Sequence, residues 1–487
     1  MPSENSFFDS CQRLTSKGWR AFLLVNLAGL AGLAACSAVP PSEPPALHVP
    51  AAFKEGVPGS SVWQTAQPQD AVPDDWWRLF NDPVLDALQQ QAQQANQNIA
   101  LALARLRAAH AALDSSRAAL APTLGANAGS TRARSNGSAG TSIATADSIG
   151  LAAGWELDLW GRLSASAQVA QANLQASADD LAAMRLSVQA SVVQTYFALR
   201  AAEAQERLLG ETLAAYQRSW DLTQNRYRAG VASSADVAQA QATYLSTQAQ
   251  RIEAQSSRAQ LEHALAALAG QVPAAFSLAP TAELPAPPPV PAQLPSRLLE
   301  RRPDIAAAER RVAAANAQVG VARTAFFPAL TLSASAGYRG TSWGDLVSAP
   351  NLVWSVGPAL AATLFDGGAR SAAVDAARAA LEQAAASYRQ TVLVALQEVE
   401  DNLVAGAALE REQAVQTEAV AAAQRALGVV NNQYRAGTVA YLNVLSAQAQ
   451  VLSAQSGLIG VRQRRLAAAA TLLKNVAGRW EATAPAQ

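Results

Sequence analysis

The chain has 487 residues, 37 Lys+Arg against 37 Asp+Glu, and 50% apolar residues, yet only 6% aromatic, 3 His and 2 Cys. Balanced charge leaves no basic surface to displace counter-ions from a polyanion, so no nucleic-acid partner is expected. With so few soft ligands no metal site is expected, and the abundance of alanine suits long, closely packed helices better than one thick core.

The first residues set the compartment. Arg13, Lys17 and Arg20 precede an apolar stretch at 21–35, too short to span a bilayer but the right length for a secretory signal. It ends in Leu33-Ala34-Ala35-Cys36, which looks like a bacterial lipobox, so Cys36 is the expected lipidation site. Ser37, where aspartate would retain the protein at the inner membrane, points to the outer membrane. Cys11 leaves with the signal, so no disulfide is expected. Two or more acyl chains make a stable anchor.

Proline maps the rest. None lies between Pro122 and Pro273, or between Pro358 and Pro485, and those windows can hold long helices. The crowded stretches 40–83 and 273–303 read as extended segments or linkers. The two halves repeat: Tyr227-Arg228-Ala229-Gly230 returns as Tyr434-Arg435-Ala436-Gly437, and Ala121-Pro122-Thr123-Leu124 matches Phe327-Pro328-Ala329-Leu330. The expected organisation is a signal at 1–35, an anchored extended segment at 36–82, a first repeat at 83–272, a linker at 273–302, a second repeat at 303–476 and a tail at 477–487.

Within each repeat the expected order is helix, two strands, long helix, turn, long helix. Asp82-Pro83 opens the first helix, which should run unbroken to about Ala121. From 148 to 160 the period becomes two: Ile149, Leu151, Ala153, Trp155, Leu157 and Leu159 alternate with Ser148, Gly150, Ala152, Gly154, Glu156 and Asp158. Residues 123–128, 330–339 and 352–364 alternate likewise, and 134–146 and 340–351 read as loops. From 164 to 229 Leu174, Leu181, Val188, Val192, Tyr196 and Leu199 recur at helical spacing, as Leu381, Tyr388, Val392, Leu396, Val399 and Leu403 do later. Gly230 and Gly437 sit where these helices must reverse.

The alternation admits two readings, a soluble sheet packed on one face or transmembrane strands. In the second, four strands cannot close a barrel, and an open edge in lipid is forbidden, so chains must pool their strands. The inferred fold class is mixed α and transmembrane β with an internal two-fold repeat.

The chain resembles the TolC/OprM-type outer-membrane factors, in particular their lipidated NodT-like branch. The resemblance is carried by Trp76-Trp77 with Phe80-Asn81-Asp82-Pro83, by Trp155-Glu156-Leu157-Asp158-Leu159-Trp160-Gly161-Arg162, and by Leu299-Glu300-Arg301-Arg302-Pro303-Asp304-Ile305 with Ala308-Glu309. Phe365-Asp366-Gly367-Gly368 and the two Tyr-Arg-Ala-Gly segments complete it. It implies a homotrimer with a twelve-strand outer-membrane barrel, a twelve-helix periplasmic tube, and an equatorial collar from segments such as 273–300. It also implies a periplasmic adaptor and an inner-membrane pump of the resistance-nodulation-division type as partners. The implied activity is passive efflux, with no enzyme chemistry and no cofactor. An exit duct for secreted protein and a non-conducting periplasmic coiled-coil lipoprotein are the alternatives.

The resemblance places adaptor docking at Gly230, Val231, Gly437 and Thr438. It places a periplasmic gate just past the second tip, where Thr438-Val439-Ala440-Tyr441 offers no carboxylate. The candidates there are Asp236, Arg435, Tyr441 and Asn443, a gate built more on tyrosine and amide hydrogen bonds than on an acidic ring. Glu156 and Asp158 face one way on a strand and read as ionised lumen surface rather than a catalytic pair. His110 and His263 read as helix-surface residues. Trp155, Trp343 and Trp354 suit an interfacial aromatic belt.

Overall fold

The computed structural model describes residues 53–54, 63–65, 75–137, 140–281, 284–288, 290–292 and 302–476. The signal, Cys36, Leu299-Glu300-Arg301 and the tail at 477–487 lie outside the described residues. In chain order come strand β1 (Trp63–Thr65), helices α1 (Pro83–Ala95) and α2 (Gln97–Ala118), strands β2 (Thr123–Gly137) and β3 (Gly140–Leu157), and helices α3 (Arg162–Arg228) and α4 (Ser234–Leu268). Strand β4 (Val290–Ala292) precedes helix α5 (Pro303–Thr324), strands β5 (Ala329–Gly340) and β6 (Leu352–Ala361), and helices α6 (Ala369–Arg435) and α7 (Tyr441–Val476). Helices α3 and α6 have 67 residues each; at 1.5 Å per residue each is about 100 Å long. No helix among the described residues is long and apolar enough to cross a membrane.

Two expectations about element bounds need correction. The first helix is broken at Asn96, whose extended backbone ends α1. The Asn96 side-chain oxygen accepts from the Asn98 and Ile99 amides at 2.9 and 3.2 Å, starting α2. A side chain that satisfies the free donors of a new helix makes a break there inexpensive. The stretch expected as a loop at 134–146 is instead mostly strand, because β2 and β3 pair continuously from Thr123↔Gly154 to Gly137↔Gly140. Ladder hydrogen bonds, with a bond from the Thr141 hydroxyl to the Asn136 side-chain oxygen, hold that extension, which packing patterns do not reveal.

The described residues fall into two compact units. One holds Arg107–Ala176 and Ala308–Tyr388. It contains an antiparallel sheet in the order β2-β3-β5-β6. The register puts Leu124, Ala126 and Ala128 beside Ala153, Leu151 and Ile149, then Ala334, Ala336 and Tyr338, then Val356, Trp354 and Leu352. One face is therefore apolar across all four strands. The other carries Thr123, Gly125 and Asn127 with Ser148 and Gly150 and with Thr331, Ser333 and Ser335.

The second unit holds the described residues up to Leu106, Ser177–Ala307, and those from Arg389 onward. Its core gathers Trp76, Trp77 and Phe80 with Tyr196, Phe197, Leu199, Leu265, Leu466, Leu472 and Leu473. Asp82 caps α1 through the Val84 and Leu85 amides and also accepts from the Tyr196 hydroxyl, joining the helix start to α3. The segment after α4 is tied down by buried charge. Arg200 donates to Glu203 and to the Ala279 carbonyl, and Arg258 donates to Glu262 and to the Leu278 carbonyl. Strands β1 and β4 pair in parallel, from Trp63↔Val290 to Thr65↔Ala292, a contact with no local signal in the sequence.

Arg302 is a second hub. Its side chain is 7% exposed and bonds Asp304, Glu398 on α6 and Asn475 on α7. Burial pushes the Asp304 carboxyl upward, but the bonds and charge of Arg302 outweigh it and hold the group below the ordinary range. A lowered carboxyl stabilises the fold above the unfolded value of about 4 and loses that effect as pH falls through the folded value. Arg302→Ala should cost about 2 kcal/mol, since Glu398 and Asp304 are partly solvated and recover some hydration. Thermal unfolding at pH 7 and pH 3 checks this: the wild-type advantage over Arg302→Ala should shrink at the lower pH.

Candidate functional site

The sheet presents two chemically different faces. On the apolar one Leu124, Leu151, Trp354, Val356 and Leu360 are 72%, 52%, 71%, 63% and 67% exposed, so none of the described residues covers them. A contiguous bare apolar surface of this kind marks a membrane or protein contact. The opposite face, of small hydroxyl and glycine positions, can border water without a recognition pocket. The outer strands β2 and β6 have no partner on their far edges among the described residues.

At the sheet's helical end Glu156 and Asp158 have different partners. Glu156 receives two bonds from Arg162 at 2.8 and 2.7 Å and a third at 3.0 Å. Asp158 lies one residue past the end of β3 and accepts from the Leu163 and Ser164 amides and the Ser164 hydroxyl, capping α3. Both groups therefore build the strand-to-helix turn. Trp155 donates its indole N–H to the Leu120 carbonyl, and Trp160 donates to the Pro328 carbonyl while stacking on Phe327 at 5.0 Å. Trp343 sits on a turn beyond β5, half exposed. His110 contacts Asp114 on an exposed helix surface, and His263 is also exposed.

In the other unit, the reversals after α3 and α6 share one construction. The Gly230 amide donates to the Tyr227 carbonyl and the Val231 amide to the Arg226 carbonyl, both at 2.8 Å. Gly437 to Tyr434 and Thr438 to Gln433 repeat the pair, both at 3.0 Å. These closures need a left-handed residue, and Gly230 and Gly437 have φ of 76° and 77°. Val231 is 64% exposed, and Gly230, Gly437 and Thr438 are exposed too.

The four gate candidates do not fall alike. Tyr441 is 4% exposed, donates to the Ser219 hydroxyl of α3 at 2.9 Å and packs against Tyr434 at 5.5 Å. Burial pushes its phenol upward. Hydrogen bonds with Ser219 and Thr223 work against that, and the charges of Tyr434 and Asp236 add to it. Asp236 is thus close enough to act on Tyr441, but its carboxylate is engaged in the capping box of α4, accepting from the Ser233 amide and hydroxyl. Arg435 and Asn443 are exposed.

Sequence reasoning missed Ser219 and Thr223, the hydrogen-bond partners of Tyr441, and Arg226, whose guanidinium lies 4.7 Å from the Tyr434 ring centre. Trp220 stacked on Tyr244 was missed as well. A signal existed, since Tyr216, Tyr227, Tyr244, Tyr434 and Tyr441 put five of the 8 tyrosines around the two reversals. Replacing Gly230 or Gly437 by Ala should cost about 1–2 kcal/mol, because the left-handed backbone must then hold a Cβ. Thermal unfolding is the check, with Gly→Asn at the same positions expected to be milder.

The profile of the outer membrane efflux protein family matches residues 88–271 and 294–478. The chain is 33% identical over 457 residues to the toluene efflux pump outer membrane protein TtgC of Pseudomonas putida, covering 92% of this chain and 93% of that one. It is 33% identical over 449 residues to the pyoverdine export outer membrane protein OpmQ of Pseudomonas aeruginosa, covering 89% and 94%. Among solved structures, the outer-membrane channel OprN superposes with a TM-score of 0.83 at 29% identity, covering 91% of this chain and 99% of that chain. The open state of the Neisseria gonorrhoeae MtrE outer membrane channel gives 0.79 at 29% identity, covering 91% and 98%.

Proposed function

The chain belongs to the outer membrane efflux protein family, and from that premise we propose that it is the exit duct of a tripartite efflux pump, a passive conduit assembled from three copies. One observation carries the reading: a four-stranded sheet with one bare apolar face, one small polar face and two open edges. Three such sheets make twelve strands, enough for a barrel with room inside, and closure satisfies every edge. The long helices α3, α4, α6 and α7 supply twelve across three copies for a periplasmic tube. The domain plan and the internal repeat belong to this proposal, supported by the recurring Tyr-Arg-Ala-Gly, proline and glycine landmarks. So does lipidation at Cys36, supported by the small residues before it.

Docking of a periplasmic adaptor is assigned to the exposed reversals at Gly230, Val231, Gly437 and Thr438, and energy comes from an inner-membrane pump of the resistance-nodulation-division type. Tyr441 and Asp236 hold the gate, with Arg435 and Asn443 supplying exposed contacts. Opening must separate α7 from α3, and the Tyr441–Ser219 bond resists that separation.

Planar-bilayer recording of the lipidated full chain tests the conduit. Stepwise currents from a trimeric species are expected, whereas a coiled-coil spacer gives none. Losing one buried neutral hydrogen bond costs about 1 kcal/mol, so Tyr441→Phe should raise basal open probability roughly fivefold. If Tyr441→Phe and Asp236→Ala both leave basal conductance unchanged, the gate lies elsewhere. Loss of resistance to small toxic compounds on gene deletion, with protein secretion intact, separates efflux from a secretion duct.

A further inference from the structure

The β2–β3 hairpin outruns the rest of the sheet. Strand β5 stops pairing at Asp147↔Gly340, while β2 and β3 continue together to Gly137↔Gly140. Side chains keep alternating on this extension, so Arg132 and Arg134 stand on the same face as Leu124, Ala126 and Ala128. They lie opposite Thr145 and Ile143, at the end of the sheet remote from the helices. Both arginines are exposed, and among the described residues neither has an ion-pair or hydrogen-bond partner. Asp147, the carboxylate on that face of the hairpin, is one cross-strand pair nearer the apolar band and only 2% exposed.

The heights fit a headgroup layer. The apolar face ends at the level of Ala128, Ile149, Tyr338 and Leu352. Arg132 is four residues beyond that level and Arg134 six, which is about 13 and 20 Å along a strand, or about 9 and 14 Å at a tilt near 45°. A headgroup layer reaches about 5–8 Å past the hydrocarbon on each side, and long arginine stems bend back toward it. A guanidinium is a planar fork matched to phosphate.

We propose that Arg132 and Arg134 form a docking surface for the phosphorylated lipid headgroups of the outer leaflet. This rests on the reading that the apolar sheet face meets lipid. Pairing at the β2 edge uses main-chain groups in the plane of the sheet and leaves these side chains free to point outward.

The test uses the full lipidated protein in detergent, titrated with bis-phosphorylated lipid A and with its dephosphorylated form. Each arginine near an anionic surface contributes about 1 kcal/mol, which for two is about thirtyfold in affinity. A preference of that order for the phosphorylated form is expected, falling to near unity in R132Q/R134Q and largely kept in R132K/R134K. R339A, on the opposite face, should leave it unchanged. Equal affinity of the wild type for both lipids overturns the proposal whether or not the variants assemble, as does an equal loss in R339A. The underlying reading has its own readout: brominated acyl chains should quench the emission that W354F lacks. Quenching without a phosphate preference sinks the docking surface alone; no quenching sinks both.

Discussion

A backbone N–H or C=O without a partner in hydrocarbon costs several kcal/mol, and strands β2 and β6 each carry a row of them. On the proposed reading that the apolar face meets lipid, that cost governs everything else in the sheet unit. It makes the bare apolar face and the open edges one problem rather than two, because covering the face with lipid is possible only when the edges are closed. A soluble sheet would bury that face under its own helices, and here the described residues leave it uncovered. The polar face follows from the same demand, since strands that show lipid on one side show water on the other.

The sequence made this sheet legible because its signal is strictly local. A residue's face is fixed by counting in twos, and Ile149, Leu151 and Trp155 keep count with Leu332 and Trp354 without any knowledge of the fold. The prolines at 122 and 328 and the glycines at 230 and 437 are local too, acting on their own φ or on a missing donor. What escaped was non-local or purely main-chain. The Asn96 break depends on a side-chain oxygen turning back on its own helix start, and the β2–β3 extension depends on ladder bonds without a buried face. The Arg200–Glu203–Arg258–Glu262 cluster and the β1–β4 pair join positions far apart in the chain. At the candidate site, the burial of Tyr441 and its bond to Ser219 could not be read from the motif alone, and Asp236 serves as a helix cap.

The two Tyr-Arg-Ala-Gly reversals show how one motif diverges in use. Their backbone closures match, yet Tyr227 is 50% exposed and Tyr434 only 9%, lying under Arg226 and against Tyr441. The motif specifies the turn, and the surroundings decide whether its tyrosine faces solvent or packs. The same divergence separates Trp160, stacked on Phe327, from Phe365, which is 89% exposed at the corresponding turn after β6.

Leu364 and Phe365 together, at 95% and 89% exposed, leave a greasy corner beside the raw β6 margin. An unescorted copy in transit would therefore be adhesive at the spot where strand addition is easiest. On the proposed trimeric reading, biogenesis becomes a race between productive meeting of siblings and clumping. Slower delivery, chaperone sequestration or dilution of the newly exported chain should then govern yield more than the intrinsic stability of any finished helix.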